Sequence, residues 1–183
     1  MTVDAAGLLR TARFIPSPNC DDRPHAATVD LLVIHSISLP PGEFGGGGVE
    51  ALFTNRLDPM GHPYFAEISS MRVSAHLFLR RDGDTIQFVP FHRRAWHAGV
   101  SRWAGRERCN DFSIGVELEG SDDQPFTEIQ YHRLISTVTA LQAAFPLVAA
   151  VGHADIAPGR KTDPGPQFDW SRLYAATGLP RQL

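Results

Sequence analysis

The sequence predicts an α/β fold of the α+β kind, one domain with a mixed central β-sheet flanked by helices, and three stretches carry that prediction. Val29-Asp30-Leu31-Leu32-Val33-Ile34-His35 is a near-continuous aliphatic run with β-branched members, the pattern of a strand buried on both faces. Asp82-Gly83, set between two apolar runs, is a hairpin signal. Thr127-Glu128-Ile129-Gln130 matches a capping box ahead of an apolar stripe with helical spacing. Strands interleaved with helices, hairpin included, give a mixed sheet with helices packed on it.

Taken in order, residues 11–30 carry Pro16, Pro18 and Pro24 among short polar residues and read as irregular, part of an N-terminal arm of about residues 1–28 lying over the domain. The strand that follows places His35 at its end, where a rigid backbone meets an opening loop. That loop runs from Ser38 through the glycines at 45–48, and Val49-Glu50-Ala51-Leu52-Phe53 forms a short helix. In residues 54–70, Pro59 and Pro63 limit any helix. Residues 73–80 and 85–90 flank the Asp-Gly turn as antiparallel strands, and residues 96–110 read as loop.

From Phe112 the pattern alternates. Phe112, Ile114, Val116 and Leu118 share one face, and Ser113, Gly115, Glu117 and Glu119 share the other. This displays the carboxylates opposite the core, with two small residues leaving room for a cleft floor. The helix opened by the capping box has Phe126 and Tyr131 placed as a hydrophobic staple. Its stripe is Tyr131, Leu134, Ile135, Val138, Leu141 and Phe145, stopped by Pro146. Residues 147–152 form a short strand delivering His153, and residues 169–177 a final helix.

Length and composition bound the function. With 183 residues, 43% hydrophobic and 20% charged, the chain can bury a core of its own, so residues 1–183 read as a single domain. Its formal charge is −3 and its arginines are scattered among carboxylates, which lacks the electrostatic footprint of a nucleic-acid binder. The first ten residues include Asp4 and no apolar run of signal-peptide length, and no later segment is long and apolar enough for a membrane span, so the expected location is cytoplasmic. Cys20 and Cys109 are too few and too far apart for a disulfide framework. The sequence leaves the oligomeric state open.

Gly152 to Pro166 brings His153, Lys161 and Asp163 into one loop, too rich in proline and glycine to be helix or strand. His35, His153 and Asp163 around one zinc ion per chain would leave a fourth position open, as in catalytic zinc sites. The reaction class is then metal-assisted hydrolysis. Glu117 is placed to act as general base, a contribution of roughly 10²–10⁴-fold, and Lys161 to meet the developing oxyanion. Alternatives stay open on the residues alone: His76 or His97 in place of a ligand, or else as scaffold or cleft wall, and Glu119 in place of Glu117. His25, His62, His92 and His132 read as ordinary surface residues.

Longer runs are more specific. Leu31-Leu32-Val33-Ile34-His35, Ile37 to Gly46, Val73-Ser74-Ala75-His76, Arg94-Ala95-Trp96-His97-Ala98-Gly99-Val100-Ser101, Gly105 to Gly115, Glu117-Leu118-Glu119-Gly120 and the loop from Gly152 to Pro166 together resemble the zinc-dependent N-acetylmuramoyl-L-alanine amidase family, whose fold is shared with peptidoglycan-recognition proteins. They span nearly the whole chain. The resemblance is closest to members acting in cytoplasmic peptidoglycan recycling. It implies zinc on His35, His153 and Asp163, with Glu117 rather than Glu119 paired with Lys161 in catalysis. The implied substrate is a small soluble anhydro-N-acetylmuramyl peptide, cut between the lactyl group of the sugar and L-alanine. Arg72 and Arg108 would bind its carboxylate or amide groups, and Trp96 would pack on sugar or peptide. Ser36 departs from the asparagine that members of the family carry after the first histidine, so peptide affinity is expected to differ.

Overall fold

The computed structural model describes residues 1–180, so the last three residues of the expected domain lie outside the described part. Fifteen strands and helices are used below, in chain order: β1 (Arg13–Phe14), β2 (Cys20–Asp22), β3 (Leu31–Ile37), α1 (Gly48–Phe53), α2 (Pro63–Ile68), β4 (Leu77–Leu79), β5 (Thr85–Gln87), β6 (Arg93–Ala95), β7 (Arg102–Trp103), β8 (Arg106–Glu107), β9 (Ser113–Glu119), α3 (Glu128–Ala144), β10 (Ala149–Gly152), α4 (His153–Ile156) and α5 (Trp170–Thr177).

The central sheet has six strands in the order β1-β5-β4-β9-β3-β10, with β4, β9, β3 and β10 mutually parallel and β5 antiparallel to β4. It is mixed, as expected. Pleating divides its residues among three clusters, Phe78 of β4 and Ile86 of β5 joining Leu52 and Phe53 of α1 in one of them. Leu32, Ile34, Ile114, Val116, Leu118 and Ala150 point to the side where Leu134, Val138 and Leu141 of α3 and Leu173 of α5 pack. Leu31, Val33, Ala149 and Val151 point the other way, against Ala98, Trp103, Cys109, Phe112 and Ile156. Each fully buried side chain of this size contributes roughly 1.5–3 kcal/mol. The aliphatic run is thus covered on both sides, and the strand runs two residues further than expected: His35 lies inside β3, not at its end.

The capping box forms as expected. Thr127 Oγ1 accepts from the Gln130 amide at 3.2 Å, and Gln130 Oε1 accepts from the Thr127 amide at 3.0 Å. Phe126 and Tyr131 meet edge to face with centroids 6.5 Å apart, and Phe145 caps the helix ahead of Pro146.

Several expectations need correction. The arm is not wholly irregular: β1 adds to the sheet edge beside β5, and β2 pairs with β6. It is also pinned from within, because the buried Arg23 guanidinium donates to the carbonyls of Phe91, Asn110, Asp111 and Ser113. The hairpin strands are three residues each, shorter than their apolar runs, with one more in-register bond from the Phe88 amide to the His76 carbonyl beyond them. Pro63 opens α2 at its first turn, where its missing N–H is harmless, and His62 caps that helix by accepting from the Tyr64 amide. Residues 96–110 hold the β7–β8 ribbon and a 3₁₀ turn at Cys109–Asp111; two-residue strands leave no period to read. The Gly152–Pro166 loop starts with the one-turn helix α4, whose Asp155 accepts from the Gly152 amide at 2.8 Å.

Candidate functional site

Register builds the site. β3 and β9 pair so that His35 lies opposite Glu117, and β10 pairs beside β3 so that Gly152 lies opposite Ile34, which brings His153 to the same end. Parallel strands open at their carboxyl ends in this way, and ligands of such sheets bind there. Asp163 returns to that point on the loop, with its carbonyl accepting from the Ala154 amide at 2.9 Å.

Three atoms converge. His35 Nδ1 is 3.0 Å from His153 Nδ1 and 3.0 Å from Asp163 Oδ2, and His153 Nδ1 is 3.2 Å from the same oxygen. For bonds of roughly 2.0–2.1 Å to a tetrahedral zinc, ligand atoms stand roughly 3.3 Å apart, so two imidazole nitrogens and one carboxylate oxygen fit that ion in type and spacing. His35 and His153 are buried, and Asp163 is partly buried. Burial works against charge on Asp163, and the His153 and His35 nitrogens outweigh it, holding its pKa below the usual carboxylate range. That pull needs positive charge among the three atoms, as shared protons or as a cation. Burial pushes His35 down to about 4, so it is a neutral imidazole near pH 7.

Glu117 stands next to this triangle, with Oε1 4.0 Å from His35 Nδ1 and Oε2 buried without a hydrogen-bond partner. Burial raises its pKa well above the ordinary range, Asp163 adds to the rise, and Lys161 opposes it. Glu119, on the same face, is committed elsewhere: its two oxygens accept from the Gly45 amide at 2.6 Å and the Arg81 amide at 3.0 Å. The space expected beside Glu117 is not empty. His97 fills it, because a Cβ on Gly115 would lie 2.4 Å from its ring. The carboxylates therefore sit on a covered face, and all seven residues of β9 are buried.

The triangle floors a cleft of about 570 Å³. Ser36, Trp96 and the exposed Lys161 line it with Glu117, and Tyr64 and Ile68 of α2 form an apolar wall. Trp96 is held by its Nε1 donating to Asp21 Oδ1 at 3.1 Å. Two expected substrate contacts lie apart from it. Arg72 is exposed and turned onto its own segment, donating to the Ser70 and Met71 carbonyls at 3.0 and 3.2 Å. Arg108 lines a separate groove with Val100, Ser101 and Arg160. His76 takes no part in the triangle, donating through Nε2 to the Arg93 carbonyl and accepting the Gly115 amide on Nδ1. Arg160, which the sequence did not single out, lines the cleft and donates to the Ala98 and Val100 carbonyls.

Comparison with known proteins agrees with this geometry. Residues 25–166 match the family described as N-acetylmuramoyl-L-alanine amidase. The 1,6-anhydro-N-acetylmuramyl-L-alanine amidase AmpD of Escherichia coli K12 is 59% identical over 169 residues, covering 91% of this chain and 92% of its own. A crystal structure of an AmpD selenomethionine derivative superposes with a TM-score of 0.94 at 55% identity, covering 97% of this chain and 99% of its own. The amidase AmiD of E. coli, solved with anhydro-N-acetylmuramic acid-L-Ala-D-gamma-Glu-L-Lys, superposes at 0.60 with 32% identity, over 84% of this chain and 60% of its own.

Proposed function

Since the chain belongs to the N-acetylmuramoyl-L-alanine amidase family, we propose that it hydrolyses the amide between the lactyl group of 1,6-anhydro-N-acetylmuramic acid and L-alanine in small soluble muropeptides, as a cytoplasmic step of peptidoglycan recycling. The observation that carries this reading is the meeting of His35 Nδ1, His153 Nδ1 and Asp163 Oδ2 beside the unpartnered Oε2 of Glu117 at the floor of an open cleft. The E. coli relative named for this reaction supports the choice of substrate.

His35, His153 and Asp163 would hold the zinc ion, which would supply Lewis acidity toward a water and a carbonyl. Glu117 takes the proton from the attacking water and passes it to the leaving amine of alanine. Burial and the neighbouring Asp163 raise its pKa, which favours its holding the proton between the two transfers. Lys161 brings positive charge from the loop toward the oxyanion that forms on the attacked carbonyl. Ser36 and Trp96 hold the substrate along the cleft. Among the described residues no helix is long and apolar enough to cross a membrane, which accords with a dissolved substrate.

The test is a two-substrate comparison. The zinc-loaded chain is incubated with soluble anhydromuropeptide and with intact murein, and released peptide is measured by mass spectrometry. Faster release from the soluble compound is expected, and a preference for intact murein would assign it to lytic amidases instead. No release from either, with binding retained, would make it a muropeptide-binding module.

A further inference from the structure

We propose that one dipeptide, His97-Ala98, clamped by Asn110, fixes which nitrogen of each metal-binding histidine carries its proton, and so aims both lone pairs at the metal; this rests on the zinc reading above. The hydrogen bonds can be assigned in sequence from an end whose direction is forced. Ser113 Oγ donates its single proton to the Cys109 carbonyl at 2.6 Å. It must then accept from His97 Nε2, 3.1 Å away. His97 is buried, and its ring nitrogens meet only the Ser113 hydroxyl and the His35 imidazole, with no carboxylate to hold a second proton, so its Nδ1 is an acceptor. His35 Nε2, 2.9 Å from that acceptor, therefore carries the proton, and His35 Nδ1 is left with a lone pair.

The second histidine is settled by the next residue. His153 Nε2 lies 3.1 Å from the Ala98 carbonyl, which can only accept. Its proton is thus on Nε2, and Nδ1 again has the lone pair. Arg160 donates to the same carbonyl at 2.8 Å and fixes its direction.

A single side chain holds the pair in place. Asn110 Oδ1 accepts from the backbone amides of His97 at 3.1 Å and Ala98 at 2.8 Å. Gly115 completes the seat, since any side chain there would meet the His97 ring. None of the three binds zinc in this scheme; His97 forms part of the cleft wall behind His35, and Ala98 and Asn110 lie outside the cleft. All three are positioning residues, and neighbours of this kind typically set metal affinity by roughly 10–100-fold.

The experiment measures zinc affinity by chelator competition in the full chain, with thermal melting to check folding. His97→Phe keeps an aromatic ring and removes the acceptor, and should weaken zinc binding about 10–100-fold. His97→Asn puts Oδ1 where Nδ1 stood and should bind zinc within about threefold of wild type, because the acceptor is what counts. Long-range ¹H–¹⁵N spectra of the zinc-loaded wild-type chain should show both His35 and His153 protonated at Nε2. A folded His97→Phe chain with unchanged affinity, equal losses in both variants, or an Nδ1 proton on either ring would overturn the proposal. Should His97→Phe not fold, Asn110→Ala takes its place with the same expectation. Wild type that binds no zinc would instead overturn the metal site itself, and this inference with it.

Discussion

Glu117 stands opposite His35 across the parallel pairing of β9 and β3, its Oε1 4.0 Å from the Nδ1 that faces Asp163. The two strands thus place a carboxylate beside the proposed metal ligands without making it one of them. Glu117→Gln should keep zinc stoichiometry and lose turnover by roughly 10²–10⁴-fold, the usual contribution of a positioned proton carrier. Metal analysis and kcat on one preparation check this. Loss of zinc together with activity would move Glu117 into the ligand set.

Glu119 gives the matching control. Its oxygens hold the Gly45 and Arg81 amides, so it anchors the glycine loop over the sheet. Glu119→Gln leaves one of those buried donors facing an NH₂ group and should cost roughly 1–3 kcal/mol of stability. Kinetic constants of the folded fraction should stay near wild type. A variant of normal stability and absent turnover would reverse the roles of the two acids.

Zinc should stabilise the chain by mass action. At about one hundred times its Kd, free zinc adds roughly 2.7 kcal/mol, seen as a rise in melting temperature. Asp163→Ala should abolish the rise along with bound zinc and turnover. A full zinc-dependent shift in that variant would show that the ion sits elsewhere.

Acid should destabilise the zinc-free protein earlier than carboxylate titration alone would. Burial, with Arg23 adding to it, pushes His76 from 6.5 down to about 3; burial also lowers His35 to about 4 and His97 well below its ordinary value. Below pH 6.5 the unfolded chain binds protons at these three sites and the fold does not, so stability falls as pH falls. Glu117 acts in the opposite sense above pH 4.5, because its raised pKa keeps a proton in the fold that the unfolded chain has released. Three minus one leaves a net of about two protons between pH 6.5 and 4.5, at most about 3 kcal/mol per pH unit. Urea unfolding at stepped pH measures the slope, and a flat profile across that window would contradict it.

What the sequence made legible follows physical locality. β3 and α3 could be read because their signals, an aliphatic run and a capping box with its stripe, lie within one element. The three candidate metal ligands could be proposed because one lies late in an aliphatic strand, one follows a strand and one sits on a proline-stiffened loop. Alternation could not separate Glu117 from Glu119, since both share a face; only the Gly45 and Arg81 amides, far off in sequence, distinguish them. His97 could be read as cleft wall, where it does lie, but not as the partner of His35. Its place depends on Gly115 leaving a gap and on Asn110 holding two amides, neither of which leaves a periodic trace. Arg72 and Arg108 were assigned by resemblance, and their side chains here face their own loop and a neighbouring groove.

The contacts that join His35 to His153 and Asp163 span 118 and 128 positions of the chain. Closing spans of that size is entropically expensive, and the sheet must do it before three donors can share an ion. On the proposed zinc site, metal loading would follow folding, unlike the small zinc domains whose structure appears only with their ion. A cell starved of zinc would accumulate a folded, inactive pool of this protein, ready to be switched on when the ion returns without new synthesis.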